Sequence, residues 1–294
     1  MPRRRAPSLI AVASLVAATL VGVAPAQAAG VWQPHVDPTF TWQWQITGTV
    51  DTNVTPAAMF DIDEQDAVPT TQTVTSGLGK STWSKGPNAT AIATLHGKNK
   101  IVICYLDSGA WESYRPDASL FPASVKGNST GWSGERWLDI RSPAWPNFAP
   151  LIWARMDLAK KIGCDGIEPD QNNPIGNNPG FPITLADQKA WYLEVARQAH
   201  IRGLSVGQKN GVETTDADTA AAFDWNLNEE CNQYDECDTL QPFLSANKLV
   251  LNVEYKGTVS ATSGFCSKAR ALGISPMKKK LSLGVYREVC PDHP

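Results

Sequence analysis

The sequence lacks the features that define several common classes of protein. Beyond residue 28 there is no apolar run long enough to span a bilayer, no internal repeat and no low-complexity linker. No CxxC pair occurs, and the histidines His35, His96, His200 and His293 are scattered. These absences argue against a metal site and a metal-dependent deacetylase. We expect the protein to need neither a metal nor another cofactor.

Basic residues are not in excess. The chain has 26 Lys and Arg against 29 Asp and Glu, a formal net charge of −3. Loss of the first 28 residues would remove Arg3, Arg4 and Arg5 and leave a charge of −6. Because nucleic-acid binding depends on neutralising phosphates, this balance argues against a nucleic-acid partner and suits a neutral or cationic ligand.

The first residues have the pattern of an export signal. Three arginines precede a nearly unbroken apolar run from Leu9 to Val23, and Ala26-Gln27-Ala28 is a small-x-small site for signal peptidase. The run is short and followed by Pro25, which favours a cleaved signal peptide, residues 1–28, over an uncleaved anchor. Residues 29–294 are therefore predicted to be secreted to the extracellular space, without a membrane partner.

All six cysteines follow this segment, so disulfides are possible after export. Cys231 and Cys237 close a short polar loop and are the first expected pair. Cys266 and Cys290 would join the last strand region to the preceding helix. Cys104 and Cys164 lie in apolar, strand-like runs, where buried free thiols are the default interpretation.

Short apolar runs alternate with helix-like stretches along the chain. The predicted strands are Met59–Asp63, Ile101–Leu106, Trp137–Ile140, Gly166–Asp170, Leu204–Lys209, Phe223–Glu229, Lys248–Glu254 and Lys280–Gly284. The strongest predicted helices are Phe148–Ile162, Leu185–Ile201 and Leu240–Ala246. Alternating residues at Thr41–Ile46 predict an additional N-terminal strand.

Eight strands that alternate with helices predict parallel βα units closed into an α/β (β/α)8 TIM barrel with an extra N-terminal strand. The remaining length of about 265 residues fits one such domain, residues 29–294, which we expect to be monomeric. The runner-up is an open doubly wound sheet. It is disfavoured because no glycine-rich turn follows the first strand.

Most of the predicted strands end in polar or acidic residues. In a barrel, the carboxyl ends of the strands are where active sites form. For any single acid, capping of the following helix is the ordinary role. The whole set predicts a carboxylate-lined cleft, and its members are Asp61, Asp63, Tyr105, Asp107, Glu168, Asp170, Lys209, Asn210, Glu229, Glu230, Glu254 and Tyr255.

Two facing carboxylates are the machinery of glycoside hydrolysis, one protonated and one ionised, and crowded acids raise one pKa. Strand alternation places Glu168 and Asp170 on the same face. Glu229 and Glu230 fall on opposite faces, and alternation alone leaves open which of them points inward.

Nine short motifs follow one another along the chain. They are Trp42-Gln43-Trp44-Gln45, Phe60-Asp61-Ile62-Asp63, Ile103-Cys104-Tyr105-Leu106-Asp107-Ser108-Gly109-Ala110-Trp111-Glu112, Arg115-Pro116-Asp117, Gly134-Glu135-Arg136-Trp137-Leu138-Asp139-Ile140, Gly163-Cys164-Asp165-Gly166-Ile167-Glu168-Pro169-Asp170, Gln208-Lys209-Asn210, Asn228-Glu229-Glu230-Cys231 and Glu254-Tyr255. In order and spacing, from about Trp42 to Tyr255, they resemble the endo-α-1,4-polygalactosaminidases, glycoside hydrolase family 114, a TIM-barrel family.

The resemblance implies an endo-acting hydrolase whose partner is a cationic amino-sugar polysaccharide of α-1,4-linked galactosamine. Asp170 matches the nucleophile, and Glu229, preferred over Glu230, the acid/base. Substrate-binding residues would be Tyr105, Glu112, Arg115, Trp137, Asp139, Glu168, Lys209, Asn210, Glu254 and Tyr255, while Asp61 and Asp63 would meet an ammonium group. The chain departs from the family pattern after Asp170, in a Gly/Pro/Asn-rich loop that would border the cleft.

Two alternatives remain. The first is a secreted protein that binds an amino-sugar polysaccharide without cleaving it, which the two intact acidic motifs disfavour. The second is a barrel glycosidase for another α-glycoside, since barrels host many specificities. We expect retention of configuration, which needs carboxyl groups separated by about 5–5.5 Å.

Overall fold

The computed structural model describes residues 30–54, 56–260 and 262–291. The predicted signal peptide, residues 1–28, lies outside the described residues. Within these ranges no helix is long and apolar enough to cross a membrane.

The described chain alternates strands and helices as the sequence predicts. The strands are β1 Trp42–Gln45, β2 Met59–Asp63, β3 Gln72–Ser76, β4 Gly79–Trp83, β5 Ile101–Asp107, β6 Ala110–Glu112, β7 Lys126–Ser129, β8 Glu135–Leu138, β9 Gly166–Asp170, β10 Ser205–Lys209, β11 Trp225–Glu229, β12 Val250–Glu254, β13 Ser275–Lys278 and β14 Glu288–Val289. The helices are α1 Ala91–His96, α2 Ala149–Ile162, α3 Leu185–Ile201, α4 Ala217–Ala222, α5 Gln241–Ser245 and α6 Gly264–Leu272. The three strongest predicted helices are confirmed as α2, α3 and α5.

One large sheet contains nine of these strands in the order β1-β2-β5-β9-β10-β11-β12-β13-β14. All neighbours from β1 to β13 pair in parallel, and β14 joins β13 in antiparallel. The two ends of the curled sheet are tied together, because the Ser275 hydroxyl donates to the Phe40 carbonyl (2.6 Å) and the Ile46 amide to the Leu283 carbonyl (3.1 Å). The predicted TIM-barrel fold is confirmed.

Three strand assignments differ in detail. The N-terminal strand is present, and it pairs with β2 as one of the eight parallel strands. The prediction of a barrel strand at Trp137–Ile140 is wrong, because Trp137 lies in β8, which pairs antiparallel with β6 and β7 in a separate three-stranded sheet. We call this β6-β8-β7 sheet the side sheet. The prediction at Lys280–Gly284 is also wrong, because Leu283 turns the chain with φ 46° and the last parallel strand is β13.

The strands have two differently packed faces. Inward-facing residues form one apolar cluster that fills the lumen, with members Trp42, Trp44, Met59, Ile103, Trp225, Leu227, Leu249, Leu251, Val253 and Met277. Residues of opposite parity, such as Phe60 and Ile167, pack against the helices outside. Gly207 makes room in the lumen, because a Cβ there would lie 2.4 Å from the Trp225 ring. Towards the carboxyl ends of most of these strands, the inward-facing positions are occupied by polar residues instead of apolar ones.

Three disulfides link the described cysteines. The expected pairs Cys231–Cys237 and Cys266–Cys290 are present. The interpretation of Cys104 and Cys164 as free thiols is wrong, since they form a disulfide between β5 and the start of β9. Burial in apolar surroundings does not distinguish a thiol from a disulfide, and parallel pairing of β5 with β9 brings the two residues together.

Removal of the Cys104–Cys164 bond should cost more stability than removal of Cys231–Cys237. The bonds close chain segments of 60 and 6 residues, and the entropy of a cross-linked unfolded chain falls with segment length. We expect losses of about 4 kcal/mol for Cys104→Ser/Cys164→Ser and about 2 kcal/mol for Cys231→Ser/Cys237→Ser. Denaturant unfolding of both variants measures this, and equal losses would contradict it.

Candidate active site

A cleft of about 620 Å³ opens at the carboxyl ends of the barrel strands. Its walls come from the barrel, the side sheet and the loop that follows β9. The lining residues include Trp44, Asp63, Asp66, Tyr105, Tyr114, Arg115, Trp132, Glu135, Trp137, Asp170, Asn173, Asn177, Lys209, Asn210, Glu229, Tyr255 and Leu281 to Leu283. The cleft therefore lies where the strand-end acids predict it.

Lys209, at the end of β10, is the charged centre of the cleft floor. Its ammonium contacts the carboxylates of Glu168 (2.7 Å), Asp170 (3.2 Å) and Glu229 (3.2 Å). It also lies 4.5 Å from the centre of the Trp44 ring. Burial alone would lower the pKa of Lys209, but the three carboxylates raise it well above its ordinary value. The residue is therefore a permanently charged, buried cation.

Glu229 ends β11 on the inward face, which resolves the choice that alternation left open. Its carboxylate accepts hydrogen bonds from the Tyr255 hydroxyl and the Asn210 amide (2.9 Å for Asn210). Burial raises the pKa of Glu229, but Lys209 and these donors outweigh it and hold the pKa below its ordinary value of 4.5. The expectation that crowding raises the pKa of a catalytic acid does not hold for Glu229, because a buried ammonium lies against it.

Asp170 ends β9 and contacts the same Lys209 ammonium as Glu229. Its carboxylate accepts from the Gln171 amide (2.8 Å) and the Tyr105 hydroxyl (3.3 Å). The backbone here is tightly held, since the amides of Ser108 and Gly109 both donate to the Asp170 carbonyl at 3.1 Å. Only glycine fits at Gly109, where a Cβ would lie 1.9 Å from the Gln171 carbonyl oxygen.

A second layer of acids is buried beneath the cleft floor. Asp61 and Glu168 are fully buried and face each other. Burial, followed by the Glu168 charge, raises the pKa of Asp61 well above its ordinary value, which favours its protonated form. Burial raises the pKa of Glu168 to about 7, against the opposing effect of Lys209. Asp107 is also fully buried, and burial followed by the charges of Glu112 and Asp170 raises its pKa.

A chain of ion pairs joins the cleft rim to the interior. Arg115 donates to both oxygens of Asp63 (3.0 and 2.7 Å) and to Glu112 (2.7 Å). The other Glu112 oxygen accepts from Arg155 (2.9 Å), which also binds Asp117. Glu112 and Arg155 are buried, so they fix the position of Arg115 rather than line the cleft.

Nine of the predicted site residues line the cleft: Asp63, Tyr105, Arg115, Trp137, Asp170, Lys209, Asn210, Glu229 and Tyr255. Three others, Asp61, Glu112 and Glu168, lie beneath it as described. The prediction that Asp61 meets an ammonium of the ligand is wrong, because Asp61 has no exposed surface.

Three predicted residues lie away from the cleft. Glu254 faces outward from β12, where its carboxylate accepts from the Asn232 amide at 2.9 Å. Both Asp139 oxygens are held by Arg141 at 2.7 Å. Glu230 has a left-handed backbone, φ 61°, and turns the chain away from the cleft directly after Glu229. The geometry therefore gives no support to Glu230 as the acid/base.

Several lining residues were not predicted. Tyr114 and Trp132, 54% and 53% exposed, lie on loops of the side sheet, with Glu135 at the start of β8. Their short, polar strands carry no apolar alternation, so the sequence offers only a weak signal: an aromatic residue amid glycine and serine in Gly131-Trp132-Ser133-Gly134. No group of three or more His, Cys, Asp or Glu that could hold a metal ion occurs among the described residues.

Comparison with known proteins identifies the family. The profile of Glycoside-hydrolase family GH114 matches residues 22–293. No curated protein sequence matches the chain. Ega3 of Aspergillus fumigatus, solved in complex with galactosamine, is similar, with a TM-score of 0.72 and 27% identity over 90% of this chain and 100% of that chain. The glycoside hydrolase domain of PelA from Pseudomonas aeruginosa shares the fold, with a TM-score of 0.63 and 12% identity over 85% and 98% of the chains. The chain belongs to glycoside hydrolase family GH114 and is a glycoside hydrolase.

Proposed function

We propose that this protein is a secreted, endo-acting hydrolase of α-1,4-linked galactosamine-containing polysaccharide. The observation that carries the proposal is the pair Asp170 and Glu229 on one buried ammonium in the cleft floor. The similarity to Ega3, which was crystallised with galactosamine, supports the choice of sugar. The three disulfides support an oxidising, extracellular site of action.

The charge of the cleft favours a cationic ligand. Five carboxylates line it, those of Asp63, Asp66, Glu135, Asp170 and Glu229, against the two basic side chains of Arg115 and Lys209. A deacetylated galactosamine polymer carries one ammonium on each sugar, so it is attracted to this excess, most strongly at low salt. The exposed rings of Tyr114 and Trp132 offer faces on which sugar rings can pack.

Asp170 is proposed as the nucleophile and Glu229 as the acid/base. Both carboxylates contact the Lys209 ammonium at 3.2 Å, which holds them on the same part of the cleft floor. We propose a retaining mechanism, in which the two carboxyl groups are about 5–5.5 Å apart, whereas about 6.5–9.5 Å is typical of inverting enzymes. Glu229 enters the reaction as a carboxylate in the free protein, so it must take up a proton with the substrate before it protonates the leaving oxygen.

The test is release of reducing ends from purified, partly deacetylated α-1,4-galactosaminogalactan. We expect activity in the wild type and losses of about a hundredfold or more in Asp170→Asn and Glu229→Gln. Glu230→Gln is the matched control, because it removes the same charge one residue along and outside the cleft. It should stay within about threefold of the wild type.

Other results would redirect the proposal. Loss of activity in Glu230→Gln with retention in Glu229→Gln would transfer the acid/base role to Glu230. A wild type that binds the polymer without cleaving it would leave the binding-protein alternative, and cleavage of a different α-glycoside alone would change the substrate. N-terminal sequencing of exported protein would test cleavage after Ala28.

A further inference from the structure

A second cavity of about 540 Å³ adjoins the cleft on the far side of Glu229. Four residues line both spaces: Asn173, Asn177, Asn210 and Glu229. The second cavity is completed by Ile175, Gly176, Gly211, Val212, Glu213, Asn228, Tyr234 and Glu236. Asp170 lines the cleft alone, so Glu229 marks the boundary between the two spaces.

The second cavity is acidic on its own account. Glu213 and Glu236 join Glu229 in its wall, and no lysine or arginine is among its described lining residues. Burial, followed by the charge of Glu213, raises the pKa of Glu236. A wall that carries three carboxylates and no described basic residue attracts a cation.

An unpartnered acceptor points to the same conclusion. Asn228 is 1% exposed and lines the second cavity, and its side-chain oxygen has no hydrogen-bond partner among the described residues. A buried amide oxygen without a donor is costly for a folded protein. A ligand that carries ammonium or hydroxyl donors would satisfy it.

The wall of the second cavity is built to hold its shape. Glu213 accepts a hydrogen bond from Gln188 of α3. Tyr234 and Glu236 lie in the loop that the Cys231–Cys237 disulfide closes, and Tyr234 is 63% exposed. The site therefore offers an aromatic face beside two carboxylates, which suits an amino sugar.

We propose that the second cavity binds a galactosamine unit with a free amino group on the leaving-group side of the scissile bond. Its ammonium would lie between Glu213 and Glu236. The inference rests on the proposed function, because the acid/base must touch the glycosidic oxygen, and Glu229 touches both spaces. The sugar attacked by Asp170 then occupies the cleft, and the departing chain occupies the second cavity.

This assignment makes deacetylation a requirement at one defined position. An N-acetyl group carries no charge, so an acetylated unit gains nothing from Glu213 and Glu236. The loop after β9 supplies Asn173 and Asn177 to both spaces and so borders the passage between them.

The test measures binding separately from catalysis. Titration calorimetry with Asp170→Asn protein would compare a fully deacetylated α-1,4-galactosamine hexamer with its fully N-acetylated form. Adding Glu213→Gln and Glu236→Gln should weaken binding of the deacetylated hexamer about tenfold and leave the acetylated form unchanged. The matched control, Asp235→Asn with Asp238→Asn, removes two exposed carboxylates that do not line the cavity and should have no effect on either ligand.

The outcomes separate the two proposals. Equal affinity for the deacetylated hexamer with and without the two glutamates would overturn the second-cavity assignment, whatever the catalytic result. An equal loss for both hexamers would overturn it too, because it would indicate a general effect on folding or shape. Absence of hydrolysis by the wild type would instead overturn the proposed function, and the titrations would still decide which groups bind the ammonium.

Discussion

Replacing Lys209 with methionine is expected to lower kcat/KM by about a thousandfold, a larger decrease in kcat/KM than loss of one surface-exposed contact would cause. Methionine keeps the length and apolar stem of the side chain and removes only the ammonium. That ammonium is the shared partner of Asp170 and Glu229, so both carboxylates lose the charge that positions them. Glu229 also loses the largest influence that lowers its pKa. The buried Glu168 loses its 2.7 Å partner as well.

The same variant should change the pH dependence in a definite direction. Lys209 is the largest influence that lowers the pKa of Glu229, so its removal lets burial raise that pKa. With Glu229 as the proton donor, kcat/KM falls as the pH rises through the pKa of the free protein. The fall should therefore occur at a higher pH in Lys209→Met than in the wild type. A shift to lower pH would contradict the role assigned to Lys209.

Two further variants keep this prediction interpretable. Lys209→Met leaves buried carboxylates without a counter-ion, which threatens folding, and a Glu168→Gln change in the same protein removes one of those charges. The double variant should fold and still be inactive. Lys189→Met is the control, because Lys189 also binds two carboxylates, those of Asp216 and Asp218, but at the exposed surface, and its activity should match the wild type.

Among single substitutions, the largest effect on stability is expected for Arg155→Met, about 3–5 kcal/mol. Arg155 is 1% exposed and binds Asp117 through two nitrogens (2.9 and 2.8 Å) and Glu112 through a third (2.9 Å). Its loss leaves the buried Asp117 carboxylate without a basic partner and leaves Glu112 with Arg115 alone. The penalty comes from the stranded Asp117 carboxylate rather than from the value of the ion pairs themselves.

Denaturant unfolding at neutral pH measures the Arg155 effect. Arg197→Met is the matched control, since Arg197 forms a two-pronged ion pair with Glu194 on an exposed helix face, and its loss should cost about 0.5 kcal/mol or less. A loss below about 1 kcal/mol for Arg155→Met would show that the buried network contributes little to folding. Arg155→Met with Asp117→Asn should recover part of the lost stability, because it removes the stranded charge.

The location of the site was predictable because it follows from chain geometry. Strand alternation and the carboxyl-end rule for barrels place Asp170 and Lys209 at one end of parallel strands, and the structure brings them together. The choice between Glu229 and Glu230 was not predictable, because it depends on where β11 stops. The left-handed turn at Glu230 sets that point, and sequence alternation does not register it.

The alternation of residues along a strand did not predict how deeply each acid is buried or which charged group it contacts. Asp61 and Asp63 share one face of β2, yet Asp61 is fully buried and Asp63 lines the cleft. The two residues differ because Asp61 lies one inward-facing position deeper in the barrel, where side chains fill the interior. The pKa of Glu229 depends on an ammonium contributed by a different strand. The side sheet was not predicted for another reason. Strands such as Lys126–Ser129 are short and polar, so their sequence carries no strand pattern, and they are strands because they pair with β8.

The side sheet has a consequence for how enzymes of this architecture can diverge. The proposed reacting groups, Asp170 and Glu229, lie on barrel strands, while Tyr114, Trp132 and Trp137 lie on the segment between β5 and α2. Arg155 of α2 fastens that segment to the scaffold through Glu112 and Asp117, neither of which lines the cleft. An inherited change in the aromatic wall can therefore alter which glycan is preferred without disturbing the chemistry, so substrate range and catalytic power can evolve as separate traits.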